Sequence, residues 1–66
     1  MKVSELIQSR RKDLGLTQIE LADLADVSTR SLFELENGSN SMSLKRVLRI
    51  LEALGLKIRI EVAKNE

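Results

Sequence analysis

Hydrophobic and polar positions along this 66-residue chain follow the period of amphipathic α-helices over most of its length. In four segments, apolar residues recur three or four positions apart, which places them on one face of a helix. The predicted helices run from about Ser4 to Leu14, from Gln18 to Ala25, from Thr29 to Asn37 and from Leu44 to Leu54. Their expected apolar faces are, in order, Val3, Leu6, Ile7 and Leu14; Ile19, Leu21, Ala22, Leu24 and Ala25; Leu32 and Leu35; and Leu44, Val47, Leu48, Leu51 and Leu54.

Capping residues predict where these helices begin and end. Thr17 is followed three residues later by Glu20, which is the spacing of a capping box, in which each side chain bonds a free backbone N–H of the helix start. Serine favours the same N-terminal position, and glycine favours the position just after a helix. The other predicted boundary residues are the N-caps Ser28 and Ser43 and the terminating glycines Gly15 and Gly55.

The second and third helices are separated by only a few residues, so the connection between them is a tight turn. A helix as short as the third is not stable alone and must rest on its neighbour. Two helices joined in this way form a helix-turn-helix. Leu32 and Leu35 face the neighbour, and the opposite side presents Arg30, Phe33, Glu34 and Asn37.

Arg11 falls on the buried side of the first helix, four residues after Ile7. A buried charge without a partner would cost several kcal/mol, so Arg11 requires a carboxylate. Glu36, four residues after Leu32, is the best candidate for this ion pair. The alternative is that Arg11 buries only its aliphatic stem and extends its charge to solvent.

The last segment changes to the period of a β-strand, with alternating apolar and polar residues. We expect residues 1–55 to form the helical domain, residues 56–63 a strand, and residues 64–66 a tail. A single strand exposes unpaired backbone groups, so the strand is expected to pair antiparallel with that of a second copy. A disordered tail and a continued fourth helix are the alternatives, and Gly55 disfavours the latter. The expected dimer contacts are Leu56, Ile58, Ile60 and Val62.

Size and composition exclude several classes of protein. A chain of 66 residues forms one domain that buries only about 60% of its unfolded surface, which also favours a partner chain. It has no His and no Cys, so neither a metal or cofactor site nor an enzyme active site is expected. It has no apolar run of about 18 residues and no signal-peptide pattern, which predicts a cytoplasmic protein without membrane contact.

The net charge of +1 is too small to indicate nucleic-acid binding by itself. The charges are nevertheless segregated along the chain. For any single cluster, an ordinary solvated helix face is the favoured interpretation, because surface charge usually serves solubility. The basic clusters are Arg10, Arg11 and Lys12, and Lys45, Arg46 and Arg49; the acidic cluster is Glu20, Asp23 and Asp26.

The segments LGLTQIELADLADVSTRSLFELENG and SLKRVLRILEALGL resemble the Cro/repressor-type (Xre) helix-turn-helix family. The resemblance covers most of the first 56 residues and implies a four-to-five-helix, lambda-repressor-like domain. Two positions depart from the family pattern. Asp26 stands where glycine is common in the turn, and Met42 stands where proline often precedes the fourth helix.

The resemblance implies that the protein binds double-stranded DNA at a palindromic operator. Gln18 matches the position that braces a phosphate and a base-contacting neighbour, whereas Thr29, Arg30 and Glu34 match positions that reach base edges. Phe33 is ambiguous, because it could contact a thymine methyl group or pack against protein. Polar side chains that could contact phosphates are Ser28, Thr29, Asn37 and Ser41.

The tail after LEALGL resembles the HipB-like and Y4mF-like antitoxin branch of the family. Such proteins dimerise through a C-terminal strand, repress their own operon and neutralise a HipA-like kinase toxin. The resemblance therefore implies an autoregulating antitoxin. A stand-alone phage-type or Xre-family regulator and a protein-interaction module without DNA binding are the alternatives.

Overall fold

The structure is a computed structural model that describes residues 2–59 and 61–63. These residues contain four α-helices: α1 (Val3–Asp13), α2 (Gln18–Ala25), α3 (Thr29–Glu36) and α4 (Leu44–Ala53). The prediction of a mostly helical domain is confirmed, and each helix end lies within one residue of its predicted place. None of the helices in the described ranges is long and apolar enough to cross a membrane.

The start of α2 is a complete capping box. The Glu20 backbone N–H donates to Thr17 Oγ1 at 3.0 Å, and the Thr17 backbone N–H donates to Glu20 Oε1 at 2.9 Å. The bond from the Thr17 backbone, together with that involving its side chain, lowers the pKa of the Glu20 carboxyl group below its ordinary value. The two single caps are also present: Ser28 Oγ accepts from the Ser31 N–H at 3.0 Å, and Ser43 Oγ accepts from the Arg46 N–H at 3.3 Å.

Asp26 ends α2 in the left-handed conformation, with φ 55° and ψ 49°. It is the only non-glycine residue with positive φ among the described residues. Its N–H donates to the Asp23 carbonyl at 3.3 Å, and the Val27 N–H donates to the Ala22 carbonyl at 3.0 Å. These two hydrogen bonds close the end of α2, and the chain turns sharply from there into α3.

The hydrophobic core lies between the four helices, with α2 packed against both α3 and α4, and α1 packed against α3. Each helix contributes buried apolar side chains, so none of the elements is peripheral to the core. The buried hydrophobic residues are Ile7, Leu21, Ala22, Ala25, Leu32, Leu35, Ile50, Leu51 and Leu54.

The predicted apolar faces were too wide in α1, α2 and α4, and in α4 the buried face was also misplaced. Ile50 is fully buried although it was absent from the predicted face of α4. The buried part of a helix is set by the neighbours it packs against, and the helical period of the sequence does not specify those neighbours. The expected face residues that are exposed are Val3, Leu6, Leu14, Ile19, Leu24, Leu44 and Leu48.

The C-terminal segment begins as an extension of the core. Leu56 packs against the core, and its N–H donates to the Leu51 carbonyl at 2.8 Å. Residues 57–59 and 61–63 are exposed and form no strand in the described ranges, and Val62 is 95% exposed. The expected strand pairs only with a second chain, so its pairing, and the domain division after residue 55, stay predictions. Ile60 and residues 64–66 lie outside the described residues.

Candidate nucleic-acid interface

One side of α3 carries a continuous set of exposed side chains. At about 100° per residue, these side chains occupy an arc of about 140° around the helix. The opposite side is buried and holds Leu32, Leu35 and Glu36. We call the exposed side the α3 surface; it consists of Thr29, Arg30, Phe33, Glu34 and Asn37.

A buried ion pair holds the end of α3 against α1. Arg11 Nε donates to Glu36 Oε2 at 2.8 Å and Arg11 Nη2 donates to Glu36 Oε1 at 3.0 Å, which is the two-bond geometry of a guanidinium on a carboxylate. The two residues that the sequence analysis paired are therefore in contact. The third nitrogen, Nη1, donates to the Leu16 carbonyl at 2.8 Å. The network satisfies both charges internally, so neither is available to an outside ligand.

Gln18 joins the same network from the start of α2. Its Nε2 donates to Glu36 Oε1 at 3.2 Å, so the carboxylate connects α1, α2 and α3. The side chain is half-buried. This bond fixes the orientation of the carboxamide and leaves its remaining donor and acceptor groups available at the N-terminus of α2.

The charged groups of the α3 surface have no internal partners within the described residues. The ion pairs among the described residues are Arg11 with Glu36 and Arg59 with Glu61. Arg30 and Glu34 lie one turn apart on α3, but they form no such pair. Both side chains are exposed and can therefore offer their full hydrogen-bonding capacity to a ligand.

The polar residues around α3 are partly used in local bonds. Ser28 caps the helix and donates its hydroxyl to Ser31 Oγ at 2.7 Å. Asn37 Nδ2 donates to the Phe33 carbonyl at 2.7 Å, which closes the last turn. The hydroxyl of Ser41 is 3.0 Å from that of Ser39 in the following loop. Each group keeps further donor or acceptor capacity, and their phosphate contacts stay predictions.

Two arginines of the predicted basic clusters have structural roles that the sequence analysis missed. Arg10 Nε donates to the Leu54 carbonyl at 3.0 Å, which joins α1 to the end of α4. Arg49 Nη2 donates to the Asp26 carbonyl at 3.2 Å, at the turn after α2. No local signal identifies such bonds, because the acceptors are main-chain atoms brought near by tertiary packing. The basic residues of the two clusters that stay exposed are Lys12, Lys45 and Arg46.

Comparison with known proteins agrees with this geometry. The family model described as helix-turn-helix matches residues 7–60. The chain is 48% identical over 50 residues to an uncharacterized HTH-type transcriptional regulator of Methanothermobacter thermautotrophicus, a match covering 76% of this chain and 72% of the relative. It is 36% identical over 58 residues to the uncharacterized HTH-type transcriptional regulator y4mF of Sinorhizobium fredii, covering 88% of this chain and 76% of the relative.

Proposed function

Because this chain belongs to the helix-turn-helix family, we propose that it is a DNA-binding transcription regulator that represses transcription from a palindromic operator. The observation that carries the proposal is the α3 surface, which is exposed along one side of a helix held in place by the core. The similarity to two HTH-type transcriptional regulators supports it. Family membership also favours a binding protein over an enzyme.

The proposed mechanism places the α3 surface in the major groove. An α-helix with its side chains is about 10 to 12 Å across, and the major groove of B-DNA is about 12 Å wide. Arg30 carries the planar fork that bonds guanine O6 and N7, a contact worth about 1 to 3 kcal/mol of discrimination. Glu34 accepts a hydrogen bond from a cytosine amine, and the Thr29 hydroxyl contacts a base edge or a phosphate.

Polar groups beside α3 fix the register of the helix on the duplex. Gln18 stands at the start of α2 with its carboxamide oriented by Glu36, and in this proposal it contacts a phosphate. Ser28, Asn37 and Ser41 contribute further phosphate contacts. Such bonds position the protein without distinguishing one base pair from another, so specificity depends on the α3 surface.

The proposed regulator acts as a homodimer. One α3 surface covers about half of an operator, and two must lie about 34 Å apart to enter successive major grooves on one side of the duplex. Pairing of the C-terminal strands of two copies would provide this symmetry. The exposure of Ile58 and Val62 supports the proposal, because both apolar side chains would be covered in such a dimer.

We further propose that the protein is the antitoxin of a HipBA-like operon, which neutralises a kinase toxin and represses its own promoter. The support is the resemblance of the C-terminal segment to the HipB-like and Y4mF-like branch, together with the similarity to the y4mF regulator. Co-expression with a kinase-like product of the neighbouring reading frame tests it. Rescue of growth and co-purification are expected; a neighbouring frame of another kind would favour the stand-alone regulator.

Salt-dependent DNA binding tests the regulatory function. Titration with a fragment of the protein's own promoter at several salt concentrations should give a log affinity that falls linearly with log salt, because bound phosphates release counterions. Scrambled DNA should bind more weakly. Arg30→Ala should remove most of this preference while it retains the binding common to both DNAs. A protein that binds neither DNA would instead be an interaction module.

A further inference from the structure

Phe33 is the only aromatic residue of the chain, and it is 54% exposed on the α3 surface. We propose that Phe33 reads the C5-methyl group of a pyrimidine, either thymine or 5-methylcytosine, beside the base that Arg30 contacts. This inference rests on the proposed DNA-binding function and adds a specificity determinant to it. It also makes operator binding responsive to cytosine methylation where the recognised base is a cytosine.

Packing within the domain does not account for Phe33. The partly buried hydrophobic residues that pack against the core, within the described ranges, do not include it. Its neighbour Leu32 is fully buried, so packing of Leu32, and not of the phenyl ring, determines which face of α3 turns toward the core. Phe33 is therefore an exposed apolar side chain that a ligand of α3 would cover.

The position of the ring relative to Arg30 follows from helix geometry. Side chains of an α-helix lean toward its N-terminus, so the Phe33 ring lies over the turn that contains Thr29 and Arg30. The step from residue 30 to residue 33 is about 4.5 Å along the helix axis. Stacked base pairs are about 3.4 Å apart. A base contacted by Phe33 is therefore adjacent to the base that Arg30 reads, or one pair beyond it.

The chemistry of the groove limits what the ring can recognise. The major-groove edges of guanine, adenine and unmodified cytosine present donors and acceptors, whereas thymine adds a C5-methyl group. A phenyl ring placed against a polar edge removes water without supplying a hydrogen bond, which is unfavourable. Against a methyl group, the contact buries apolar surface of both the ring and the methyl group. 5-Methylcytosine carries a methyl group at the same atom.

Hydrogen bonds hold the α3 backbone at the residue that carries the ring. The Phe33 carbonyl accepts from the Asn37 N–H at 3.1 Å and from Asn37 Nδ2 at 2.7 Å. Glu36, in the same turn, is fixed by Arg11. Little ordering of the backbone is therefore needed when DNA binds, which preserves the energy gained when the ring covers a single methyl group.

Removal of single methyl groups from the operator tests the proposal. The operator is first obtained by selection from random DNA, and the base read by Arg30 is identified as the position at which Arg30→Ala loses preference. Each thymine of a half-site is then replaced by uracil, which removes only the C5-methyl group. In a second series, each cytosine is replaced by 5-methylcytosine.

One position adjacent to the Arg30 base, or one pair beyond it, should respond. If the recognised base is thymine, uracil should weaken binding about fourfold, which corresponds to about 0.8 kcal/mol. If it is 5-methylcytosine, methylation of cytosine should strengthen binding by a similar factor. Phe33→Ala should abolish the response, whereas Phe33→Leu, which keeps an apolar side chain, should retain part of it. Thermal unfolding of both variants should match the parent, because Phe33 is exposed.

Two results would overturn the inference while leaving DNA binding intact. One is an affinity that ignores every methyl change within two base pairs of the Arg30 base. The other is a methyl response of the same size in Phe33→Ala, which would assign it to another residue or to DNA shape. Failure to select any DNA sequence would be a different result, because it would overturn the proposed function together with this inference.

Discussion

At the scale of single residues, the Arg11–Glu36 pair shows how a buried charge is accommodated in a very small core. Both residues are buried, and the Glu36 side chain keeps only 1% of its surface exposed. Removing two charges from water is costly, and the attraction between them compensates only when their hydrogen-bonding groups are also satisfied. Here the guanidinium bonds both carboxylate oxygens and a main-chain carbonyl, which meets that condition.

Removing either partner of this pair should destabilise the domain strongly. Arg11→Met leaves Glu36 buried without its cation, and Glu36→Leu leaves Arg11 unpaired, so each should cost about 3 kcal/mol. The double variant should recover part of that loss. Urea unfolding of the four proteins measures the coupling, with Arg46→Met as the exposed control that costs at most about 0.5 kcal/mol. Additive effects of the two changes would show that the pair does not act as a unit.

Among the described residues, Asp26 is the non-glycine residue that adopts a left-handed backbone conformation. A left-handed conformation costs an L-residue about 1 to 2 kcal/mol, less for Asp, and glycine adopts it freely. Asp26→Gly should therefore raise the free energy of unfolding by about 0.5 kcal/mol, whereas Asp26→Val should lower it, because β-branched residues tolerate this region poorly. Thermal unfolding of the two variants checks the order. A Gly variant less stable than the parent would contradict this prediction, and would mean that the entropy glycine adds to the unfolded chain, or a contact of the Asp26 side chain, outweighs the relief of strain.

At the scale of elements, the helix starts carry the most local information in this chain. Each cap of α2, α3 and α4 joins a side chain to a backbone N–H three residues later. Such bonds form within one turn and need no tertiary contact, so each start could be located from a few residues. The α2 cap is the only one of the three in which a carboxylate takes part, so it alone should respond to pH.

The stability contributed by the α2 capping box should be lost in acid. The pKa of Glu20 is lowered in the folded protein, chiefly by the bond from the Thr17 backbone. The contribution is therefore complete above the ordinary glutamate pKa of about 4.3 and declines as the pH falls through the lower folded-state value. Unfolding by urea at pH 7 and pH 3 should show a smaller loss of stability in Glu20→Gln than in the parent. Equal losses in the two proteins would exclude the Glu20 carboxylate as a source.

At the scale of the whole molecule, a single chain leaves much apolar surface uncovered. Exposed hydrophobic side chains occur on all four helices and in the C-terminal segment, where Ile58 is 49% exposed. Domains of this size are only marginally stable, and a second copy would cover part of this surface. The proposed dimer therefore has a thermodynamic reason as well as a geometric one.

Truncation of the C-terminal segment should separate dimerisation from folding. A chain ending at Lys57 keeps Leu56, which packs on the core and bonds the Leu51 carbonyl, so the helices should remain folded. It should sediment as a monomer and lose operator binding, although every residue proposed to contact DNA is present. Ile58→Pro, which deletes one strand amide, should act in the same direction.

A chain ending at Ala63 is the matched control, because it keeps the whole predicted strand and should behave as the parent does. If the chain ending at Lys57 still sediments as a dimer and binds its palindrome, strand exchange is the wrong model. The dimer contact would then be sought on α4, where Leu44 and Leu48 are exposed.

The sequence by itself determined the four helices, the N-caps of α2, α3 and α4, the turn between α2 and α3, and the exposed side of α3. It also indicated Glu36 as the partner of Arg11, because a buried guanidinium requires a carboxylate and Glu36 follows the core residue Leu32 by one turn of the third helix. All of these features depend on interactions within a turn or two of helix, or on a charge that cannot be buried alone. The α3 surface, which is the centre of the candidate site, could therefore be predicted from the sequence.

Only the tertiary structure decided which residues of each apolar face are buried and which groups the long arginine side chains bond. Ile50 is buried while Leu44 and Leu48 are exposed, because the packing of α4 against α2 decides which of its apolar residues are covered. Arg10 and Arg49 bond main-chain carbonyls far away in sequence, although their surroundings resemble an ordinary basic surface. The helical period predicts which residues share a face of one helix. Which atoms of different helices come into contact depends on how the helices are placed relative to one another.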